Sequence, residues 1–560
     1  MGSFINGGVA SATLIILAFL WSKTNITTSS TIVLTPIILV AGKVVLKISK
    51  GLISPYISPL RDIPGPKGDH IFFGQALKIF KTPGPNDLYI QWMKQWPDAH
   101  FIRHLSFGNA EVLLVNSLEA HREVLQTKAH SFVKPKFFEK LLGEFLGRGV
   151  LFSVGAEHRL QRRFLAGPFS TPNIRKLLPI FQEKARDLSS YLERSIANDA
   201  RGIIEIESAY IKATLDIVGV TILGIELSKL KSSSASPLDF EECYHHILEQ
   251  SFLGWLIAFV NGFVPLRWLP LAANRKFLRA NAAVWSIVRE LVQERFEQVE
   301  ARQALGVSEG GRESQDLLTY MIEANLSSED ALSREQIVED MLQFVIAGHE
   351  TSAGSLTWTT YALATNPSIQ DRLRKEILNA TRAGNGEIDY ATIESMRFLN
   401  NVLRESIRLY SPSLTLPREA AEDMVVGDVH IPKGTTVTMV PAMVQRNPLI
   451  WGEDADVFNP DRWDSLTTDS ASPYAISAFS GGPRVCVGRS FAYLEMKVIL
   501  VELLSKFVFE SADRRPKMLN PAVTLKPKGG LKVNVIQSKS GFRRHAHVHD
   551  LLSPSESIGI

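Results

Sequence analysis

Apolar residues recur at spacings of three and four through much of the chain from about Asp87 to Leu378, most regularly from Ile337 to Leu363, and this period predicts helices. Another helix is predicted over Leu399 to Tyr410. Patterns that suit strands are short and scattered: Val112 to Val115, Thr436 to Val440 and Leu531 to Val535. Glycine and charge between Gln303 and Gln315 mark an exposed loop between helices. No repeat period is visible. The pattern therefore predicts a mainly α chain with small β-sheets, built as one large domain.

The first fifty residues depart from this pattern. Ile5 to Trp21 is apolar and uncharged, and Thr31 to Ile48 is interrupted only by Lys43 and Lys47. Residues 1–53 are accordingly expected to form a membrane anchor of one or two transmembrane helices. No Lys or Arg precedes Ile5, as a cleaved signal would require. Lys43, Lys47, Lys50 and Arg61 place the body on the cytosolic side. Proline density in residues 54–70 excludes helix and reads as a stiff, extended hinge. Residues 71–537 form the body, and 538–560, with His545, His547 and His549 in alternation, read as a disordered tail.

The chain has 560 residues, 45% apolar and 21% charged, which is a globular composition. A formal charge of +3 against 61 basic and 58 acidic residues gives no reason to expect nucleic acid as a partner. Two cysteines, Cys243 and Cys486, cannot build a disulfide framework, which suits a reducing compartment.

The chemistry concentrates in Phe479-Ser-Gly-Gly-Pro-Arg-Val-Cys-Val-Gly488. It sets Cys486 in a glycine-rich turn that opens an apolar helix, where backbone N–H groups and Arg484 favour a thiolate able to bind a metal. Gly482 and Gly488 are expected to let the backbone close around the sulfur. Ala347-Gly-His-Glu-Thr-Ser352 puts a glycine, a carboxylate (Glu350) and a hydroxyl (Thr351) midway along a long helix. Gly348 would let a ligand approach, and the other two suit proton transfer. Glu405 and Arg408 lie three apart on one helix face, and Phe458-Asn-Pro-Asp-Arg462-Trp463 follows. His158 and Arg162 share a helix face four residues apart.

These motifs, in this order from about residue 60 to residue 537, resemble the cytochrome P-450 family of haem-thiolate monooxygenases, in particular its microsomal, fungal members. The resemblance implies that Cys486 is the axial ligand of haem b, within F-x-x-G-x-R-x-C-x-G. It implies that Ala347, Phe479, Gly482 and Gly488 border the haem, and that Glu350 and Thr351 manage protons for O2 activation. Glu405, Arg408 and Arg462 would form a buried structural cluster. His158, Arg162, Arg418 and Arg484 would meet the haem propionates. Gln445 stands where many members have histidine. By resemblance a lipophilic substrate, a terpenoid or polyketide of secondary metabolism among the candidates, would meet Phe145 to Phe152, Phe344, His349, Ser411 to Leu416 and Ala522 to Thr524. Electrons would come from an NADPH–cytochrome P-450 reductase on the endoplasmic reticulum membrane, docking near Arg484 to Lys497. A haem-thiolate isomerase or dehydratase, and a non-catalytic haem sensor, are the rival readings; the Glu350–Thr351 pair speaks against both.

Overall fold

The computed structural model describes residues 42, 49, 51–68, 70–198, 202–227, 240–248, 252–262, 266–305, 316–383, 388–513 and 515–538. The predicted anchor segments, the tail from 539 onward and most of the 303–315 loop lie outside them. No helix among the described residues is long and apolar enough to cross a membrane.

The helices that build the site are α1 (Asp87–Gln95), α2 (Lys136–Leu146), α3 (Gly155–Ala166), α4 (Leu178–Asn198), α5 (Ile206–Val218), α6 (Phe240–Leu248), α7 (Ala272–Ala304), α8 (Arg334–Thr365), α9 (Arg397–Leu409) and α10 (Arg489–Lys506). The long α8 runs through the centre, packed against α5, α7, α9 and α10. It is apolar on nearly every side because it is enclosed on nearly every side. Its start, earlier than the apolar period indicates, is fixed by a capping box in which Ser333 and Gln336 each satisfy the other's backbone N–H.

One mixed sheet carries the strand order β1 (Phe101–Leu105), β2 (Glu111–Val115), β8 (Thr436–Met439), β5 (Leu416–Ala420), β3 (Phe132–Val133). In it β2 and β8 run parallel, Val112 opposite Thr436, and the other pairs are antiparallel. A second sheet pairs β10 (Lys532–Gln537) with β4 (Ile203–Glu205) and β9 (Phe507–Ser511), and a hairpin joins β6 (Met424–Val426) to β7 (Val429–Ile431). Three predicted strands thus become β2, β8 and β10. Two large apolar clusters lie along α8, one shared with α4, α5, α9 and α10, the other with α2, α6 and α7.

Within the expected hinge, residues 54–57 are helical, whereas 58–68 carry no helix. Residues 51–57 are helical despite Pro55. The segment is also tied down: Arg103 donates to the Pro55 carbonyl at 3.1 Å and Ser58 to Glu111 at 2.7 Å, and Leu60 is buried against the sheet. Proline removes one N–H but leaves its carbonyl free to be held, and tertiary contacts outweigh the local preference.

Candidate active site

Cys486 sits in the turn between β8 and α10, closed by its own N–H, which donates to the Phe479 carbonyl at 2.8 Å. The Phe479 ring packs against Tyr493 at 5.4 Å, with Arg489 over its face. Gly482 has φ +60°, and a Cβ there would meet the Leu125 carbonyl oxygen at 1.9 Å, so only glycine fits. Gly488 is different: a Cβ would find only Phe169, at 3.9 Å. The close backbone approach expected at Gly488 is therefore not demanded by the folded chain itself. Its N–H instead points at the cysteine sulfur.

Burial pushes the Cys486 thiol above its ordinary value, against the pull of the Gly488 N–H and the charges of Arg162 and Arg489. This revises the expectation of a thiolate favoured by Arg484: desolvation dominates, and the nearby cations are different ones. Yet the side chain is accessible. A sulfur that is both desolvated and accessible faces a space inside the protein. Among the described residues no group of three or more His, Cys, Asp or Glu is placed to hold a metal. An ion at Cys486 would take its other ligands from a bound group.

Five basic side chains gather around that region. His158 and Arg162 come from α3, Arg418 from β5 and Arg484 from the cysteine turn. Lys134, between β3 and α2, is a fifth that the sequence reading did not single out. The charges they sense are almost all alike. Burial, then Arg418 and Arg484, hold the Lys134 ammonium well below its usual range. Burial and Arg484 bring Arg418 to about 10. Burial and the neighbouring Arg484, Arg162, His130 and Lys134 bring His158 to about 4. Arg162 alone senses an anion, the Cys486 sulfur. Arg418 and Arg484 donate only to main-chain carbonyls, of Pro417 and Ser153. Buried basic groups without a counter-ion are a receptor for an anionic ligand.

Glu405, Arg408 and Arg462 come together as expected. Both Glu405 and Arg408 are wholly buried, and Arg408 grips the carboxylate through two bonds of 2.8 Å. Arg462, the Asn459 N–H and the Trp463 indole donate to the same carboxylate at 2.9, 2.9 and 3.1 Å. Arg408 also donates to the carbonyls of Gln445 and Ala455. Gln445, from which the sequence alone yields nothing, is the link to the cysteine turn. Its amide nitrogen donates to the Ile407 and Arg408 carbonyls and its oxygen accepts from the Ser477 and Ala478 N–H groups.

Between its ends α8 is exposed at one spot: Ala347 is exposed and Thr351, one turn on, half-buried. The Thr351 hydroxyl donates to the Ala347 carbonyl at 2.6 Å. Glu350 does not join it. Its carboxylate meets Lys526 at 2.5 Å, Thr524 at 3.2 Å and Tyr244 at 3.4 Å, which pushes the Tyr244 phenol further up. Gly348 is not a place for a ligand. A Cβ there would strike Val218 of α5 at 2.9 Å, so it is a packing notch. His349 is buried against Tyr244, rings 4.5 Å apart, and backs the wall. Phe169 connects the two halves, touching Phe344 at 5.6 Å and lying beside Gly488. The proposed docking stretch from Arg484 to Lys497 also changes: Arg484 turns inward to Ser153, and Lys497 is buried against Glu394.

The profile of one protein family, Cytochrome P450, matches residues 63–535. The chain is 30% identical over 493 residues to the cytochrome P450 monooxygenase sphH of Aspergillus fumigatus, covering 85% of this chain and 88% of that protein. It is 30% identical over 541 residues to the cytochrome P450 monooxygenase FUM15 of Gibberella moniliformis, covering 86% and 89%. The cytokinin hydroxylase of Arabidopsis thaliana is 29% identical over 448 residues, covering 80% and 82%.

Proposed function

Because this chain belongs to the cytochrome P450 family, and is therefore a haem-dependent monooxygenase with a cysteine thiolate on the iron, we propose how its own residues divide the work. Cys486 would hold the iron through its thiolate. Lys134, His158, Arg162, Arg418 and Arg484 would receive the two propionates, with Ala347, Phe479, Gly482 and Gly488 bordering the ring. The observation that carries this reading is the set of buried cations without a counter-ion beside a sulfur that faces an interior space. When bound, haem b supplies the redox chemistry that puts one atom of O2 into the substrate and releases the other as water.

Thr351 keeps its own proton on the Ala347 carbonyl, which leaves its oxygen free to accept from water and so to order a proton path. Glu350 ties the 524–526 segment to α8 and offers its carboxylate to water arriving from that side. Glu405, Arg408, Arg462 and Gln445 hold the cysteine turn in place. The substrate is lipophilic, since the segments assigned to meet it are rich in Phe and Leu, and oxidation of a terpenoid or polyketide in secondary metabolism suits them. A reductase using NADPH supplies electrons, docking on exposed cations such as Arg159 and Arg489. The body lies on the cytosolic face of the endoplasmic reticulum membrane. Exposed Ile71, Phe72 and Trp268 support contact with lipid beyond any anchor.

The test is the reduced, carbon monoxide-bound spectrum. A red-shifted Soret band, lost in Cys486→Ser protein that still holds haem, is the expected result. A haem-loaded wild type without that band would remove Cys486 from its role. Comparing metabolites of cells with and without the protein then identifies the substrate.

A further inference from the structure

Residues 147–153, between α2 and α3, belong to no helix or strand, and the turn they form finds its acceptors on α8. The Val150 N–H donates to Asp340 Oδ1 at 2.7 Å and the Leu151 N–H to Gln343 Oε1 at 2.9 Å. The N–H groups of Phe152 and Ser153 close the turn on the Gly149 carbonyl at 3.0 and 3.2 Å. At the far end the Ser153 carbonyl accepts from Arg484 at 3.0 Å. Turn and helix touch without room for a side chain between them. A Cβ at Gly149 would lie 2.5 Å from Asp340 Oδ1, and one at Gly147, where φ is +68°, would lie 2.7 Å from Glu339 Cγ.

Stability alone does not account for these two polar residues. Asp340 is 0% exposed, and its second oxygen, Oδ2, has no partner. Glu405, the buried carboxylate that completes a structural cluster, receives five donors. Asp340 receives its one printed bond from the turn, and around it Ile337, Val338, Met341 and Phe344 are all buried and apolar. A carboxyl group in such surroundings costs more than an apolar side chain would, so what it contributes is position. Helix geometry says where. Ala347 follows Gln343 by one turn and Asp340 by two, on the same face and about 6 and 10 Å along the axis, and Thr351 continues that face. The turn thus covers the stripe of α8 that is left open at Ala347 and Thr351, and walls that opening at one end.

We propose that Asp340 and Gln343 are positioning residues that set which substrates this monooxygenase accepts: by clamping residues 147–153 onto α8 they fix the end wall of the substrate chamber ahead of Ala347 and Thr351. The clamp selects compact lipophiles, and a loosened clamp admits bulky ones. The inference rests on the reading of Cys486 as the haem thiolate and of the segment ending at Phe152 as facing substrate.

Hydrogen exchange of the haem-loaded protein, read on peptides spanning 147–153, measures the clamp itself. Gln343→Met keeps the length of the side chain and removes its acceptor, and exchange there is expected to rise roughly tenfold. Asp340→Ala should do the same at Val150, while Asp340→Asn, which keeps an oxygen for that N–H, should stay near wild type. Spectral titration with imidazole and with the bulky 1-tritylimidazole then reads the wall. Imidazole is expected to bind wild type and variants alike; 1-tritylimidazole should bind Q343M and D340A roughly tenfold more tightly, with D340N again near wild type. Should D340A fail to hold haem, Q343M carries the test. Unchanged exchange in Q343M would show that the pair does not hold the turn, and equal shifts for the two imidazoles, or none for 1-tritylimidazole, would show that the turn does not bound the chamber; each overturns the inference alone. A haem-loaded wild type without the red-shifted carbon monoxide band would overturn the reading of Cys486, and this inference with it.

Discussion

Two clusters of buried charge in this protein are built on opposite rules. Around Glu405 the charges cancel. Arg408 and Arg462 face Glu405, Asp454 faces Arg462, and each remaining donor of Arg408 ends on a carbonyl. Around Lys134, His158, Arg418 and Arg484 the charges add, and each group is pushed toward its neutral form by burial and by its neighbours. The first cluster is complete as the chain folds and holds the segment from Ala455 to Trp463 that precedes the cysteine turn. The second is complete only with an anion. A charged cluster thus reports structure when its partners are internal, and a binding site when they are missing.

The largest effect should come from breaking the complete cluster. Arg408→Ala leaves the Glu405 carboxylate buried and half-paired, at a cost of about 3–5 kcal/mol. Chemical denaturation and haem content measured together should show loss of both. The incomplete cluster should respond with the opposite sign in the two forms of the protein. Arg418→Met removes repulsion from the haem-free chain and raises its midpoint, but takes about 1.5–3 kcal/mol from haem retention, since a charge-assisted bond is lost. Haem transfer to apomyoglobin and unfolding of the haem-free protein measure the two halves. Equal destabilisation of both forms would show that Arg418 is merely structural. The link from the complete cluster to the cysteine turn is Gln445. Gln445→Leu strands the Ser477 and Ala478 N–H groups, and should lower the unfolding free energy by about 1–3 kcal/mol while broadening the carbon monoxide-bound Soret band.

What the sequence made legible, and what it hid, follows the same division. Motifs that lie within one element or one turn could be read directly: the cysteine turn, the Glu405–Arg408 pair, and the long α8 with its Ala347–Thr351 face. Partners that meet only through the fold could not. Lys134 reaches the cation group from the β3–α2 connection, and Gln445 bridges α9 and the cysteine turn. Spacing gives which residues share a face, but not what packs against it. For that reason Gly348 was read as an opening when Val218 fills it, and Lys497 as a surface cation when Glu394 holds it inside. The Arg103 contact to the Pro55 carbonyl that helps tie this segment to β1 was equally invisible in a proline-rich string.

The smallest effect separates the cations from the sulfur by counting protons. In the haem-free protein His158 lies near 4, below its ordinary 6.5, so its contribution to stability is present above 6.5 and is lost as pH falls toward 4. A bound dianion reverses the cause of that shift, and His158 and Lys134 should take up part of a proton. Coordination of iron by Cys486 acts the other way, because the thiol must lose its proton. Metal-free protoporphyrin carries the carboxylates without the iron and isolates the first term. Calorimetric titration at pH 6, in two buffers of different ionisation enthalpy, should show net uptake with protoporphyrin, and about one proton more released with haem. Uptake that persists in the double variant His158→Gln, Lys134→Gln would place the responsive groups elsewhere, and the cation cluster would then be no receptor.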